Sequence, residues 1–122
     1  MPRQHVKPLI YSCSGCSNVA QLANDVALHI DRTGRAEMSC IAGVGGGVPA
    51  LVRVAQSGRP IIAIDGCQLH CAQACLDKAA VRPDHHVRLY ELDYKKRKQQ
   101  SASPEQVREV IQLVEGLLCG LE

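Results

Sequence analysis

The sequence predicts an α/β fold: a three-layer sandwich with a four-stranded, mostly parallel sheet in the order βαβαβαβα. Four apolar runs alternate with four segments of helical periodicity, and crossover helices of this kind connect parallel strands. With 122 residues, 46% of them hydrophobic, the chain can bury one core. No internal repeat or linker divides it, so we expect a single domain over residues 1–122.

The first half of the chain contains two strands and two helices in this prediction. Residues 7–12 are apolar and predict the first strand, and residues 36–41 predict a weaker second one. Residues 17–32 repeat apolar side chains at helical spacing, with Gly34 as the stop signal. A glycine-rich loop over 43–47 then leads into a helix over 48–57, with Pro49 in its first turn.

The second half repeats this alternation. The apolar run 60–65 predicts a buried strand, and a helix follows over about 68–80. Residues 86–92 supply β-formers for the fourth strand. The final helix has the clearest start, because Ser103 can cap it, Pro104 suits its first turn and Gln106 lies three residues after the cap.

Composition and charge exclude several classes of partner. The net charge of +2, from 14 basic and 12 acidic residues, is too balanced to predict a polyanion partner. The basic run Lys95–Lys98 predicts a solvated loop more strongly than a nucleic-acid or membrane patch. No secretory signal or membrane-spanning stretch is visible, which favours a cytoplasmic protein. In a reducing compartment, seven cysteines indicate metal binding or thiol chemistry rather than disulfides.

Cysteines follow the predicted strands. Cys13, Cys40 and Cys67 each come just after a strand, and Cys71 falls in the first turn of the third helix. Because parallel strands end at one edge of the sheet, these four thiols can converge there. Four thiolates are the ligand number of a closed tetrahedral Zn²⁺ site. The sequence therefore predicts a zinc site made by Cys13, Cys40, Cys67 and Cys71.

Three helices are also predicted to begin at this edge. Their N-termini direct unpaired N–H groups and partial positive charge at the thiols, which lowers the cost of ionising them. The same field suits a small anion or a thiol ligand. The glycine run 43–47 resembles an anion-binding loop, but it lacks the lysine and hydroxyl of a P-loop. A loop that approaches the cysteine site closely is the favoured interpretation.

For several of the remaining cysteine, aspartate and histidine residues, more than one role is open. Cys16 is a ligand, a resolving thiol or a neutral neighbour, and Cys75 is core filler or an extra thiol. Asp65 is more readily a loop-fixing acceptor of backbone N–H bonds than a catalytic base. His70 is expected to be exposed, with metal ligation as its alternative. We expect Cys119 to be a small apolar residue of the core. We expect His85-His86 to lie at the surface, at the start of the fourth strand.

Several short motifs resemble the DGC-domain family. Asp65-Gly66-Cys67, with Cys71 four residues later, is similar to the motif that names the family. Cys13-Ser14-Gly15 and Met38-Ser39-Cys40 are similar to its N-terminal and middle signatures, in the expected order over roughly residues 8–95. The resemblance implies a four-cysteine zinc site with the ligands Cys13, Cys40, Cys67 and Cys71. Cys16 and Cys75 look like additions to the family pattern.

We therefore expect a small cytoplasmic zinc-binding protein with a role in metal handling or sensing. One alternative is a thiol-based enzyme that carries out thiol–disulfide exchange or sulfur transfer with Cys13 or Cys67. The other is an iron–sulfur protein. Neither a nucleic-acid partner nor a membrane partner is expected.

Overall fold

A computed structural model describes residues 6–97 and 100–121 of the chain. Its elements are β1 (Leu9–Ser12), α1 (Asn18–Arg32), β2 (Glu37–Met38), α2 (Ile41–Gly45), α3 (Pro49–Ala55), β3 (Ile61–Asp65), α4 (Cys71–Lys78), β4 (His85–Arg88), a 3₁₀ turn (Leu89–Leu92) and α5 (Pro104–Leu121). The described strands form one sheet in the order β2-β1-β3-β4, and every pairing is parallel. The predicted α/β fold is confirmed.

Helices cover both faces of the sheet, as the three-layer prediction requires. On one face, Ile10, Ile62 and Ile64 pack with the apolar sides of α1 and α5. On the other face, Leu9 and Ala63 pack with side chains from α2, α3 and α4. All residues of β3 are buried because helices lie on both of its sides, which is why its sequence is a continuous apolar run.

Two predicted helix boundaries are confirmed by their caps. Ser17 precedes α1, and its hydroxyl accepts a hydrogen bond from the Ala20 N–H. At the start of α5, the Ser103 hydroxyl accepts from the Gln106 N–H, and the Gln106 side chain accepts from the Ser103 N–H. This reciprocal pair is the capping box that the sequence predicted.

The glycine-rich segment differs from the predicted loop. Its first residues belong to α2, and the chain turns only at Gly46 and Gly47. The reason is close packing: a Cβ on Gly43 would lie 2.0 Å from the Leu51 side chain, and one on Gly45 would lie 2.6 Å from the Cys75 sulfur. These glycines allow α2 to pack against α3 and α4.

Two predicted strands were too long. The second strand spans only Glu37–Met38, because Cys40 is already the N-cap of α2. The fourth strand ends at Arg88, and the chain then forms the 3₁₀ turn before Asp93, which has a positive φ of 68°. Among the described residues, no helix has the length and apolar character needed to cross a membrane.

Gly66 sets the distance between the end of β3 and the start of α1. A Cβ at this position would lie 2.7 Å from both the carbonyl carbon and the carbonyl oxygen of Val19. These are backbone atoms of a helix and cannot move aside as a side chain would. Only glycine therefore lets the loop after β3 lie directly against the first turn of α1.

We expect Gly66→Ala to destabilise the protein by about 1–3 kcal/mol, the usual cost of forcing an extra methyl into a packed region. Gly116→Ala is the matched control, because it adds the same methyl to α5 with no atom within 4 Å. Alanine in a helix interior should leave stability unchanged or raise it by up to about 1 kcal/mol. Urea unfolding measures the stability of both variants. A Gly66→Ala protein as stable as the wild type would contradict this account.

Candidate functional site

A cavity of about 170 Å³ opens at the carboxyl edge of the sheet, between the loop after β1 and the loop after β3. Four cysteines line it: Cys13 and Cys16 from the loop after β1, Cys67 from the loop after β3, and Cys71 from the start of α4. Cys13, Cys67 and Cys71 are three of the four predicted ligands. The fourth, Cys40, does not line this cavity, and Cys16 does.

Cys13 is the buried member of this group. It has 8% of its surface exposed, and its sulfur accepts a hydrogen bond from the Gly66 N–H at 3.2 Å. Burial raises the pKa of the Cys13 thiol to about 11, and the Gly66 hydrogen bond only partly opposes this effect. Without a bound cation, Cys13 is therefore a neutral thiol at neutral pH.

Asp65 holds the loop after β3 in place. Its side chain is 1% exposed and accepts hydrogen bonds from the Ala72 N–H at 2.8 Å and the Gln73 N–H at 3.1 Å. These are donors in the first turn of α4, whose own N-cap, His70, makes no side-chain cap bond. The prediction that Asp65 is a loop-fixing residue is confirmed. Its carboxylate caps α4 from the end of β3 and thereby sets the position of Cys71.

Two histidines lie at the cavity: His70 is part of its lining, and His86 contacts both His70 and Asp65. His86 Nε2 is 2.7 Å from Asp65 Oδ2, and the His86 side chain is 11% exposed. His70 Nε2 is 2.7 Å from the Tyr90 hydroxyl, and its ring meets the His86 ring edge-on at 4.9 Å between centroids. Both are only partly exposed, so the expected surface positions were wrong for them: Tyr90 of the 3₁₀ turn bonds to His70, and Asp65 at the end of β3 bonds to His86.

The segment after the 3₁₀ turn is part of the cavity wall. Asn18, the first residue of α1, donates its side-chain N–H to the Lys95 carbonyl at 2.9 Å. The Lys96 ammonium group lies 3.7 Å from the Cys67 sulfur and lines the cavity. The predicted solvated loop is confirmed for Lys95–Arg97, which are exposed and have no regular secondary structure, although Lys96 also borders the cavity. Lys98, the last residue of the basic run, lies outside the described residues.

The other cysteines lie apart from the cavity lining. Cys40 is exposed at the N-cap of α2, where its sulfur accepts from the Gly43 N–H at 3.4 Å. Cys75 packs against Gly45, and burial raises the pKa of its thiol. The core-filler reading fits this position. Cys119 is exposed on α5, 3.4 Å from Arg35 Nη2, so the expectation of buried filler was wrong there.

The four cysteines of the cavity are suitable ligands for a thiophilic metal ion, but their sulfurs do not surround one point. Thiolate sulfur is a preferred ligand of Zn²⁺, and the cavity offers four such groups. Within residues 6–97 and 100–121, however, no three His, Cys, Asp or Glu side chains lie close enough together to hold an ion. Metal binding would require the cysteine side chains to rearrange so that their sulfurs converge on one point.

Comparison with known proteins agrees with the motifs. The family model for the DGC domain matches residues 9–114. The chain belongs to the DGC-domain family. Among curated relatives, the DGC-domain chain is similar to the anaerobic and virulence modulator AnvM of Pseudomonas aeruginosa. The two are 66% identical over 90 residues, covering 74% of this chain and 69% of the relative. No solved structure matches this chain.

In this DGC domain, each letter of the family motif has a separate physical role. Asp65 caps α4, Gly66 permits contact with α1 and donates to Cys13, and Cys67 presents its thiol to the cavity beside Lys96. Sequence reasoning identified Asp65 and the cysteines. It missed Asn18, Lys96 and His86, because their contacts join residues that are distant in the sequence.

We expect Asp65→Ala to destabilise the protein by about 2–4 kcal/mol, because it leaves the buried Ala72 N–H, the partly buried Gln73 N–H and His86 without their acceptor. The matched control is Asp77→Ala, which removes an exposed carboxylate from the same helix and should change stability by less than about 0.5 kcal/mol. Urea unfolding followed by circular dichroism distinguishes them. Equal stability of the two variants would refute the capping role of Asp65.

Proposed function

We propose that this DGC-domain protein binds Zn²⁺ through cysteine thiolates at the carboxyl edge of its sheet. The observation that carries this proposal is the presence of four cysteines, from two loops and the start of α4, around one cavity. Cys13, Cys67 and Cys71 are ligands in this proposal. The seven cysteines are free, which fits a reducing cytoplasmic location.

The fourth ligand is either Cys40 or Cys16. The strand-end pattern and the family motif favour Cys40, whereas the cavity lining favours Cys16. Cys16 also follows Cys13 by three residues on a loop whose Gly15 carbonyl accepts a hydrogen bond from the Gln21 side chain at 2.6 Å. A C-x-x-C pair on a single short loop is a frequent arrangement in zinc sites.

The charges around the cavity support a thiolate site. Four thiolates with Zn²⁺ carry a formal charge of minus two. Lys96 supplies a positive charge at 3.7 Å from Cys67, and the N-terminal ends of α1 and α4 add partial positive charge. Zn²⁺ would itself ionise the buried Cys13 thiol, because a coordinating thiol is deprotonated.

A sensing or handling role is favoured over a purely structural one. Two apolar clusters already pack both faces of the sheet, so the fold does not need a metal to bury its core. The similar protein from Pseudomonas aeruginosa is named as a modulator of anaerobic and virulence functions. A regulatory role for the cysteine site in this chain fits that name.

Thiol chemistry at Cys67 is the second candidate function. Cys67 is partly exposed in the cavity, and the Lys96 ammonium group lies beside its sulfur. Reactive cysteines are found in such electropositive, partly exposed surroundings. Rapid alkylation of Cys67 in a protein that binds no metal would favour this function.

Anaerobically purified protein should contain about one zinc ion per chain by mass spectrometry. Cys13→Ser, Cys67→Ser and Cys71→Ser should each lower the zinc affinity more than about 100-fold, because each removes a direct ligand. Chelator competition measures this affinity. Circular dichroism should show that Cys67→Ser stays folded.

The fourth ligand is decided by comparing Cys16→Ser with Cys40→Ser in the same assay. Only the variant that removes a ligand should lose affinity. Cys119→Ser is the control, since Cys119 lies on α5 away from the cavity, and it should bind zinc like the wild type. Zinc-free wild-type protein, or a Cys67→Ser variant with unchanged affinity, would overturn the proposal. A brown colour would instead indicate an iron–sulfur cluster.

A further inference from the structure

Residues Lys95–Arg97, here called the 95–97 segment, are fixed to the start of α1 by one buried side chain. Asn18 is 9% exposed, and its side-chain amide donates to the Lys95 carbonyl and accepts from the Arg97 N–H. The Asn18 N–H also donates to the Arg97 carbonyl at 3.0 Å. These bonds satisfy both the amide of Asn18 and the first free N–H of the helix.

A second anchor lies directly before this segment. The Tyr94 hydroxyl donates to Glu109 on α5 at 2.8 Å, and the Tyr94 side chain packs against the core between α1 and α5. The backbone around Lys96 is therefore held on both sides. Its position beside the cavity follows from these anchors and not from the flexible lysine side chain alone.

Lys96 gives the cavity its charge. Among the described residues that line the cavity, it is the only lysine or arginine, and its Nζ lies 3.7 Å from Cys67 Sγ. The one carboxylate in the lining, Asp65, is buried and already accepts hydrogen bonds from two backbone groups. In the metal-free protein, where the thiols are not held as zinc-bound thiolates, Lys96 is therefore the one lysine or arginine charge that a molecule entering the described cavity meets.

We propose that, in the metal-free protein, Lys96, held by Asn18, makes the cysteine cavity selective for small anions that approach the Cys67 sulfur. This inference concerns the same site as the proposed zinc function and names the class of molecule that reaches it. A neutral molecule of equal size gains nothing from the ammonium group, whereas an anion is attracted to it. The selectivity should weaken as salt screens the charge.

Iodoacetate and iodoacetamide are probes of similar size that differ in charge. With either reagent, the Cys67 sulfur forms a bond to carbon, iodide leaves, and the thiol proton passes to the buffer. Both reagents react with the same Cys67 thiolate. The ratio of their rates therefore does not depend on the ionised fraction of Cys67. The rates at Cys67 are measured in full-length, chelator-treated protein by quantitative mass spectrometry with fragmentation.

We expect Lys96→Met to lower the iodoacetate-to-iodoacetamide rate ratio at Cys67 about two- to fivefold at low salt, the range for an exposed charge pair. Lys95→Met is the matched control, because it removes an equal charge from the neighbouring position, which does not line the cavity. Its ratio should equal that of the wild type. Asn18→Ala should lower the ratio toward the Lys96→Met value, because it frees the segment.

The outcomes separate this inference from the zinc proposal. An unchanged ratio in Lys96→Met, or an equal fall in Lys95→Met, overturns the inference whether or not the protein binds zinc. If the wild type binds no zinc and Lys96→Met still lowers the ratio, the zinc proposal fails and the anion selectivity stands. Tenfold higher salt should reduce the difference between the wild type and Lys96→Met.

Discussion

The buried carboxylate of Asp65 is the contact on which the cysteine site depends. It joins the end of β3 to the first turn of α4 and to His86 of β4, so three neighbouring elements share one acceptor. A buried carboxylate is stable only when its lone pairs are used, and the unpaired N–H groups of a helix start provide suitable donors. Gly66 then brings this assembly against α1, where the other cysteine-bearing loop begins.

Buried hydrogen bonds fix the backbone of the site, but among the described residues its cysteine sulfurs do not converge on one point. Cys13 is buried, and the neutral form of its thiol is favoured, while Cys16 and Cys71 are exposed. The loop residues therefore have different access to solvent although they line one cavity. In the proposed zinc site, the bound cation would be stabilised by each thiolate that reaches it.

The sequence predicted the layers and the sheet well because they follow from periodicity. Buried runs such as 60–65 and the capping box at Ser103 are local signals, and both are confirmed. The glycine run was misassigned because its helix depends on contacts with Leu51 and Cys75, which no local pattern reveals. For the same reason, the convergence of Cys13 and Cys67 could be predicted from strand ends, whereas the contact of Lys96 with Cys67 could not. That contact depends on Asn18, 77 residues away from Lys95.

The central claim is that cysteine sulfurs at this edge of the sheet bind zinc. X-ray absorption spectroscopy of the zinc-loaded protein tests it most directly, because sulfur ligands differ from nitrogen and oxygen ligands in number and distance. The account predicts four sulfurs at about 2.3 Å. A first shell made mainly of nitrogen or oxygen at about 2.0–2.1 Å would contradict it.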